Sequence, residues 1–173
     1  MIGLERILII GCSGAGKSTF SKELGFILNL PIYHLDKIYW CEGWEPIKSC
    51  KFEEELCKIT LESRWIIDGN FRKTMDIRLR AADTIIFFDL PRYLCLFRVI
   101  KRRIRYHGKT RPDMNEGCKE KIDLEFLKWI WNFNKINRPE ILAKINTLAQ
   151  NKRIIVIKKN RDLIEFLNSS MRY

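Results

Sequence analysis

The chain has 173 residues, of which 46% are hydrophobic and 31% are charged, and its formal net charge is +11. This length predicts a single domain over residues 1–173 that is large enough to bury a core, and no linker composition divides it. Six cysteines without Cys-x-x-Cys spacing and two histidines argue against a zinc site, and the absence of a signal peptide or membrane span predicts a cytoplasmic protein.

The first predicted strand is the apolar run at residues 7–10, and a phosphate-binding loop follows it directly. Residues 11–18 read Gly-Cys-Ser-Gly-Ala-Gly-Lys-Ser, a complete G-x-x-x-x-G-K-[ST] motif, and a helical pattern covers residues 17–28. The glycines allow the backbone to curl around an anion, and the N-terminus of the helix adds a positive dipole end. We therefore expect the loop to bind ATP through Gly11, Cys12, Ser13, Gly14, Ala15, Gly16, Lys17, Ser18 and Thr19.

Four side chains of this loop have individual predicted roles. Lys17 is expected to reach the β- and γ-phosphates, Ser18 to ligate Mg²⁺ through its hydroxyl, and Thr19 to bind an α-phosphate oxygen. Cys12 lies beside Lys17 and a helix N-terminus, surroundings that lower a thiol pKa, so one hypothesis makes it a reactive cysteine. The alternative is an inert small residue, because a reactive thiol also needs exposure to solvent.

Four further apolar runs alternate with helical patterns along the chain. They lie at residues 31–35, 65–67, 84–88 and 153–157, and their continuous hydrophobicity indicates strands buried on both faces. After the helix at 17–28, further helices are predicted at 50–63, 72–81, 91–106, 121–134, 138–150 and 161–169. The alternation predicts a three-layer α/β domain with a five-stranded parallel sheet.

Ligands of such sheets bind beyond the carboxyl ends of the strands. Asp36, residues 68–70 and Asp89 each follow a predicted strand, as does the phosphate-binding loop. We therefore expect these acids to meet the loop at one edge of the sheet.

The positive charge is concentrated in the second half of the chain. Residues 1–90 carry 12 Lys+Arg and 13 Asp+Glu, whereas residues 91–173 carry 20 and 8. The segment 91–112 has no acid and holds eight cations: Arg92, Arg98, Lys101, Arg102, Arg103, Arg105, Lys109 and Arg111. Such a cluster attracts polyanions, either a triphosphate at close range or nucleic acid across a surface, although a solvated helix face is the alternative.

A polar segment at residues 107–118 interrupts the helices of the basic half and is interpreted as a mobile lid, with the lid region at about 107–120. The helix after it carries apolar residues at helical spacing, including Phe126, Trp129 and Phe133. This stripe favours a core face over a base-stacking platform, because single-stranded nucleic-acid sites interleave aromatic residues with cations.

Several segments resemble adenylate kinases and other nucleoside monophosphate kinases. Trp65-Ile-Ile-Asp-Gly-Asn70 is similar to their Asp-Gly element, and Pro91 to Arg103 is similar to the segment whose first arginine covers adenine and whose later arginines grip the phosphates. This resemblance implies adenine contact for Arg98 and phosphate contact for Arg102 and Arg103. It also implies that Asn160 borders adenine, although Asn160 is equally suited to cap the last helix.

Nearly the whole chain resembles the adenylate-kinase-related family of DNA topology modulation proteins, small bacterial P-loop proteins. The resemblance is carried by GCSGAGKST, Tyr-His-Leu-Asp-Lys at 33–37 with Trp40, the Asp-Gly element, Gly-Lys-Thr-Arg-Pro-Asp at 108–113 and Trp-Ile-Trp-Asn at 129–132. It implies a P-loop NTPase fold of nucleoside or shikimate kinase type with strand order 2-3-1-4-5 and a helical lid. The family name reports a genetic effect on DNA supercoiling, so the substrate stays open.

Phosphoryl transfer needs cations, Mg²⁺ and a carboxylate near the acceptor. The predicted catalytic residues are therefore Lys17, Asp36, Arg102, Arg103 and Arg111. Arg111 precedes Pro112 in the lid and resembles the lid arginine of shikimate-type kinases. Asp68 is expected to orient Mg²⁺ through water, and Asp36 to bind or deprotonate the acceptor hydroxyl, with a helix N-cap as the alternative for Asp36.

These features predict an ATP-dependent kinase that acts on an unidentified small molecule or nucleotide. An Asn-Lys-x-Asp element of GTPases and the acidic strand end of motor ATPases are both absent from the sequence. Two other classes stay open: a nucleotide-dependent DNA-binding regulator that uses the basic half, and a simple NTPase whose acceptor is water. Arg78 and Arg138 are further candidates for anion contacts, with surface charge as the alternative.

Overall fold

The computed structural model describes residues 4–170. Its strands are β1 (Arg6–Gly11), β2 (Ile32–His34), β3 (Trp65–Asp68), β4 (Thr84–Phe88) and β5 (Arg153–Ile157). Its helices are α1 (Lys17–Leu28), α2 (Leu35–Tyr39), α3 (Ser49–Leu61), α4 (Met75–Ala81), α5 (Arg92–Arg105), α6 (Leu124–Leu148) and α7 (Asn160–Ser170). A short antiparallel hairpin joins Trp40–Cys41 to Glu45–Pro46, and one-turn 3-10 helices cover Glu42–Trp44 and Arg72–Thr74.

The five strands form one parallel sheet in the order β2-β3-β1-β4-β5, which is the predicted order 2-3-1-4-5. The predicted fold class is confirmed. The central strands β3, β1 and β4 are buried almost throughout because helices cover both faces of the sheet. The prediction of burial on both faces is wrong for the edge strand β5, where Ile154 and Val156 are exposed.

Helix α6 corrects the predicted pair of helices at 121–134 and 138–150. It is one helix of 25 residues that continues through Pro139. A proline inside a helix costs about 3 kcal/mol. The continuous buried stripe offsets that cost, because its members recur every three or four residues on both sides of the proline: Ile130, Phe133, Asn137, Ile141 and Ile145.

Helix α5 buries only a narrow face, formed by Cys95 and Val99. Its arginine face, which contains Arg98 and Arg102, lines the cleft described below. The apolar stripe on another side of the helix is exposed to solvent and comprises Tyr93, Phe97, Ile100 and Ile104. No helix within residues 4–170 is long and apolar enough to cross a membrane.

Candidate active site

A cleft of about 1210 Å³ opens at the carboxyl ends of the parallel strands. The P-loop forms its floor, and α5, the lid region and α7 form its walls. The cleft brings together most of the residues that the sequence singles out: Ser13 to Thr19, Asp36, Asp68, Arg98, Arg102, Arg111 and Asn160. Asn70, Phe71 and Asp113 also line it.

The P-loop has the backbone of an anion cradle. Gly11, Gly14 and Gly16 have φ angles of 143°, 79° and 99°, which residues with a Cβ rarely adopt. A Cβ on Gly11 would lie 2.6 Å from Cβ of Phe88, and one on Gly14 would lie 2.4 Å from the carbonyl oxygen of Cys95. Only glycine therefore fits between the sheet and α5 at these two positions, and α1 begins directly after Gly16.

Asn70 fixes the start of the loop. Its amide oxygen accepts a hydrogen bond of 2.9 Å from the backbone N–H of Gly11, and its amide nitrogen donates to the Gly11 carbonyl oxygen. The sequence placed Asn70 at the correct sheet edge but assigned it no role. The only signal for it is its position two residues after the end of β3.

The polar side chains of the loop are available to a bound nucleotide. Lys17 Nζ donates to the carbonyl oxygen of Cys12, at 3.0 Å, and to no other acceptor in the part of the chain that the structure describes. Across residues 4–170 the hydroxyls of Ser18 and Thr19 have no hydrogen-bond partner. A backbone cradle, an ammonium group held by a carbonyl of the same loop, and two hydroxyls without a partner among residues 4–170 are a donor and ligand set that fits a triphosphate with Mg²⁺.

Asp68 lies at the end of β3, and one of its carboxylate oxygens contacts a histidine. Its Oδ2 lies 3.0 Å from Nδ1 of His34, the last residue of the neighbouring strand β2. The register pairs His34 with Asp68 directly, which explains the contact. His34 was not among the predicted site residues: it lies in the segment 33–37 that carries the family resemblance, but only Asp36 of that segment was assigned a role.

Arg98 connects the P-loop to α7. Its guanidinium donates to the carbonyl oxygen of Ala15 and to Oδ1 of Asn160, each at 2.9 Å. The N-cap alternative for Asn160 is not observed, because Asn160 is the first residue inside α7 and its Oδ1 accepts the hydrogen bond from Arg98. The structure thus brings Arg98 and Asn160 into contact, and these are the two residues for which the resemblance implies a position beside adenine.

Arg102 and Arg111 share one buried carboxylate. Nε of Arg102 lies 2.7 Å from Oε1 of Glu120, and Nε of Arg111 lies 2.8 Å from Oε2. Arg111 also pairs with Asp113 at 3.2 Å. Burial and the neighbouring Arg111 lower the pKa of Arg102. Burial opposes ionisation of Asp113, but Arg111, a backbone hydrogen bond and the nearby His34 and Lys22 together outweigh burial and hold the pKa of that carboxyl below its usual value.

Arg103 is the predicted catalytic residue that the structure does not bring into the cleft. Its guanidinium lies 2.6 Å from Nδ1 of His107, one turn along the chain at the exposed end of α5. Successive residues of an α-helix point about 100° apart. Because Arg102 points into the cleft, the next residue, Arg103, points away from it. The assignment of Arg103 to the phosphate site is corrected accordingly.

Asp36 is a carboxylate without a partner. It lies inside α2, whose N-cap is His34, and it makes no capping hydrogen bond, so the N-cap alternative is not observed. Within residues 4–170 it has no hydrogen bond or ion pair, although it is directed into the cleft. The surrounding walls desolvate it and Asp68 repels it, and both raise the pKa of Asp36, while Lys17 and Arg111 oppose the shift.

Cys12 does not have the surroundings of a reactive thiol. It is 1% exposed, and its hydrogen bond with Cys95 and its burial raise its pKa. The same bond lowers the pKa of the Cys95 thiol, but Cys95 is fully buried on α5. The hypothesis of a reactive Cys12 is therefore corrected, because burial and the second thiol outweigh the nearby Lys17 and the helix dipole.

Alkylation of the folded protein at neutral pH should follow this pattern. We expect iodoacetamide to modify the exposed Cys41, Cys50 and Cys57 and to spare the three buried cysteines. A raised thiol pKa leaves little thiolate at neutral pH, and the thiolate is the reacting form. Peptide mass spectrometry measures each site. Rapid modification of Cys12 that Mg-ATP suppresses would contradict the buried arrangement.

Arg78 and Arg138 are not free anion contacts. Arg78 is fully buried and donates to the carbonyl oxygens of Gly69 at 2.7 Å, Phe71 at 2.5 Å and Thr74 at 3.3 Å. Burial lowers its pKa. Arg138 forms a two-bond pair with Asp89, at 2.7 and 2.8 Å, which also removes Asp89 from the predicted acidic edge.

Arg78 supports the backbone that carries Asp68 and Asn70, so its loss should destabilise the fold. We expect Arg78→Met to lower the free energy of unfolding by at least about 3 kcal/mol, because three backbone carbonyls lose their donor. Arg80→Met, an exposed change on the same helix, should cost less than about 0.5 kcal/mol. Denaturant unfolding compares the two variants. Equal stability would show that the buried bonds contribute nothing.

The lid region is docked on the segment that follows Asp36. Asn115 Nδ2 donates to the carbonyl oxygens of Lys37 at 2.6 Å and Trp40 at 2.8 Å. Trp44 Nε1 donates to the carbonyl oxygen of Lys119 at 2.8 Å. These bonds hold the lid region beside α2 and the hairpin, and Arg111 of the lid region lines the same cleft as the P-loop.

The sheet order, the P-loop and the arginine-lined lid together define a P-loop domain of kinase-like architecture. No protein-family model and no curated protein sequence matches the chain. Solved structures do match it over nearly its whole length.

One match is a shikimate kinase from Acinetobacter baumannii in complex with shikimate, with 16% identity, a TM-score of 0.60, and coverage of 98% of this chain and 92% of that one. A gluconokinase from Sinorhizobium meliloti matches with 13% identity, a TM-score of 0.57, and coverage of 98% and 90%. An uncharacterised protein from Eubacterium ventriosum matches with 17% identity, a TM-score of 0.54, and coverage of 99% and 98%. These similarities show a kinase-like P-loop fold.

Proposed function

We propose that the protein is an Mg-ATP-dependent phosphotransferase that acts on a small-molecule acceptor. The observation that carries the proposal is Asp36, a carboxylate that has no partner among residues 4–170 and lies in the same cleft as a complete P-loop. A carboxylate in that position suits a general base for an acceptor hydroxyl. The kinase-like fold is consistent with this reaction, and the shared motifs support membership in the DNA topology modulation family.

The residues present fit ATP and Mg²⁺. The P-loop backbone and Lys17 would hold the β- and γ-phosphates, Ser18 would ligate the metal, and Asp68 would orient it through water. Bound Mg²⁺ supplies charge neutralisation on the phosphates. Arg98 and Asn160 border the end of the cleft where we place adenine.

Each remaining residue then has a role in the transfer. Asp36 accepts the proton of the acceptor hydroxyl as its oxygen bonds to the γ-phosphorus, and the bond from that phosphorus to the oxygen of ADP breaks. Lys17, Arg102 and Arg111 stabilise the charge on the transferred group. Glu120 holds both arginines in fixed positions, which reduces the reorganisation needed during the reaction.

The position of the basic residues favours a phosphotransferase over a DNA-binding regulator. Five of the eight cations of the segment 91–112 line the cleft: Arg98, Lys101, Arg102, Arg105 and Arg111. They converge on the site predicted for a triphosphate, whereas a nucleic-acid footprint spreads its cations across an outer surface. Nucleotide binding therefore accounts for the excess of positive charge in the second half of the chain, and DNA binding is not needed to explain it.

The test is transfer of label from γ-labelled ATP, with Mg²⁺, to compounds in a deproteinised cell extract. We expect a new labelled species that depends on the protein and on Mg²⁺. Release of the label as inorganic phosphate alone would favour the simple NTPase. Salt-sensitive DNA binding that changes with nucleotide, without any transfer, would favour the regulator.

A further inference from the structure

The side of α5 that faces away from the cleft presents large apolar side chains to solvent. Tyr93, Phe97, Ile100 and Ile104 recur every three or four residues, which places them on one face of the helix. Their exposed fractions lie between 49% and 73%, and none of the four lines the cleft. We call these four residues the outer stripe. Removing such side chains from water is favourable, so the stripe suits a partner with an apolar phase.

Trp131 of α6 lies beside the first turn of α5 and adds to this apolar surface. The guanidinium carbon of Arg92 lies 4.0 Å from the centroid of the Trp131 ring, and Arg92 also donates to the carbonyl oxygen of Trp131 at 3.4 Å. Trp131 is itself exposed, as is Leu124 two turns earlier on the same face of α6. The exposed apolar surface therefore extends over two neighbouring helices.

Cations border the outer stripe and Trp131. Arg92, Arg103 and Lys109 are the three cations of the segment 91–112 that do not line the cleft. Lys128 and Lys135 are exposed about one turn before and after Trp131, on the same face of α6. None of the five forms an ion pair with another residue of the described range 4–170. These cations are therefore available to an anionic partner outside the cleft.

The acids of the two helices lie on other faces. Helix α5 contains no acid, and α6 contains only Glu125 and Glu140. Glu140 is nine residues after Trp131, on the opposite side of α6, and it pairs with Arg72. Glu125 is six residues before Trp131 and points about 120° away from it. On these two helices the charge beside the apolar surface is therefore positive.

We propose that the outer stripe and Trp131 dock on an anionic phospholipid bilayer, with α5 lying in the plane of the interface. The apolar side chains enter the boundary between headgroups and acyl chains, and the bordering cations contact the anionic headgroups. Tyr93 and Trp131 suit the headgroup level, because their rings combine an apolar body with a polar group. The cleft opens on another side of α5. The inference is therefore independent of the proposed phosphotransfer.

The same surface fits two other partners less well. Interfaces with nucleic acid are polar, and a phosphate backbone provides no apolar phase for Ile100 and Ile104. A second copy of the chain, bound by two-fold symmetry through this surface, would bring its cations against the same cations of the first copy. An anionic bilayer satisfies both the apolar side chains and the charges.

The experiment is cosedimentation of the full chain with sucrose-loaded vesicles. One set of vesicles contains phosphatidylcholine alone, and the other contains equimolar phosphatidylcholine and phosphatidylserine. We expect the apparent affinity for the anionic vesicles to exceed that for the neutral vesicles at least about tenfold, because several cations lie near the bilayer surface. Equal affinity for the two sets, or no binding to either, would overturn the inference.

Two paired substitutions test the two parts of the surface separately. Phe97→Ser with Ile104→Ser removes apolar area from the outer stripe, and Lys128→Gln with Lys135→Gln removes two of the bordering charges. We expect each pair to weaken binding to the anionic vesicles at least about tenfold, because both burial of apolar area and attraction to anionic lipid contribute to docking. Thermal unfolding should be unchanged, since all four side chains are exposed.

Matched control pairs make the same kinds of change elsewhere. Phe26→Ser with Leu61→Ser alters exposed apolar residues of α1 and α3, and Lys48→Gln with Lys51→Gln removes exposed lysines at the start of α3. Both control pairs should bind vesicles as the unmodified protein does. Equal losses in the control pairs and the test pairs would overturn the assignment of docking to this surface.

Two further outcomes would assign the surface to another partner and overturn the inference. One is a dimer in analytical ultracentrifugation that Phe97→Ser with Ile104→Ser dissociates, together with no binding to vesicles. The other is salt-sensitive binding of duplex DNA that Lys128→Gln with Lys135→Gln weakens, again without binding to vesicles.

Discussion

Replacement of Lys17 by alanine is expected to lower the rate of phosphoryl transfer by about 10²–10³-fold, the usual effect of removing one preorganised donor to developing charge. Among residues 4–170 the ammonium group of Lys17 makes one hydrogen bond, to the carbonyl oxygen of Cys12 within the loop. Its removal should therefore leave the fold intact. Single-turnover assays with labelled ATP measure the rate, calorimetry measures nucleotide affinity, and thermal unfolding confirms the fold.

The matched control for Lys17→Ala is Lys51→Ala, which removes an exposed lysine from α3 outside the cleft. The control should bind and turn over ATP as the unmodified protein does. If Lys17→Ala also retained full ATP affinity and full activity, the P-loop would have no role in catalysis. The proposed reaction would then have to be abandoned.

The local parts of the site were predictable because their signals are local. Gly11, Gly14 and Gly16 have to adopt positive φ angles next to a buried strand, and the motif states that requirement in eight residues. Parallel strands bring their carboxyl ends to one edge, so the positions of Asp36 and Asp68 followed from the strand pattern alone. The sheet order came from the resemblance.

The partners of these residues could not be predicted, because tertiary packing selects them. Asn70 bonds to Gly11 across 59 residues, and Glu120 reaches Arg102 across 18. No spacing in the sequence marks a glutamate that two arginines share.

Helices α5 and α6 show two other limits of pattern reasoning. The periodicity of α5 separates a cationic face from an apolar one. It does not predict that Phe97 and Ile104 of the apolar face are exposed to solvent, whereas Cys95 and Val99 are buried in the core. Pro139 is a helix breaker by local propensity, and only the packed stripe of α6 overrides it. In both helices the surroundings outweigh the local signal.

Asp36→Asn should lower transfer to the acceptor by about 10²–10⁴-fold, the contribution of a general base. The side-chain shape is kept and Asp36 has no partner among residues 4–170, so the fold and ATP binding should survive, together with any slow hydrolysis of ATP. Glu45→Gln removes an exposed carboxylate from the hairpin after α2 and should change neither rate.

Asp68→Asn should fail in a different way from Asp36→Asn, because the two acids are assigned to opposite partners. We expect it to raise the Mg²⁺ concentration needed for half-maximal rate, since a carboxylate that orients metal-bound water is lost while Asp36 still faces the acceptor. Measuring transfer and hydrolysis in both variants across Mg²⁺ concentrations separates the roles.

A loss of less than about tenfold in Asp36→Asn would reduce that residue to a binding contact, since general bases contribute more. Normal transfer in both variants would remove the two acids from the mechanism.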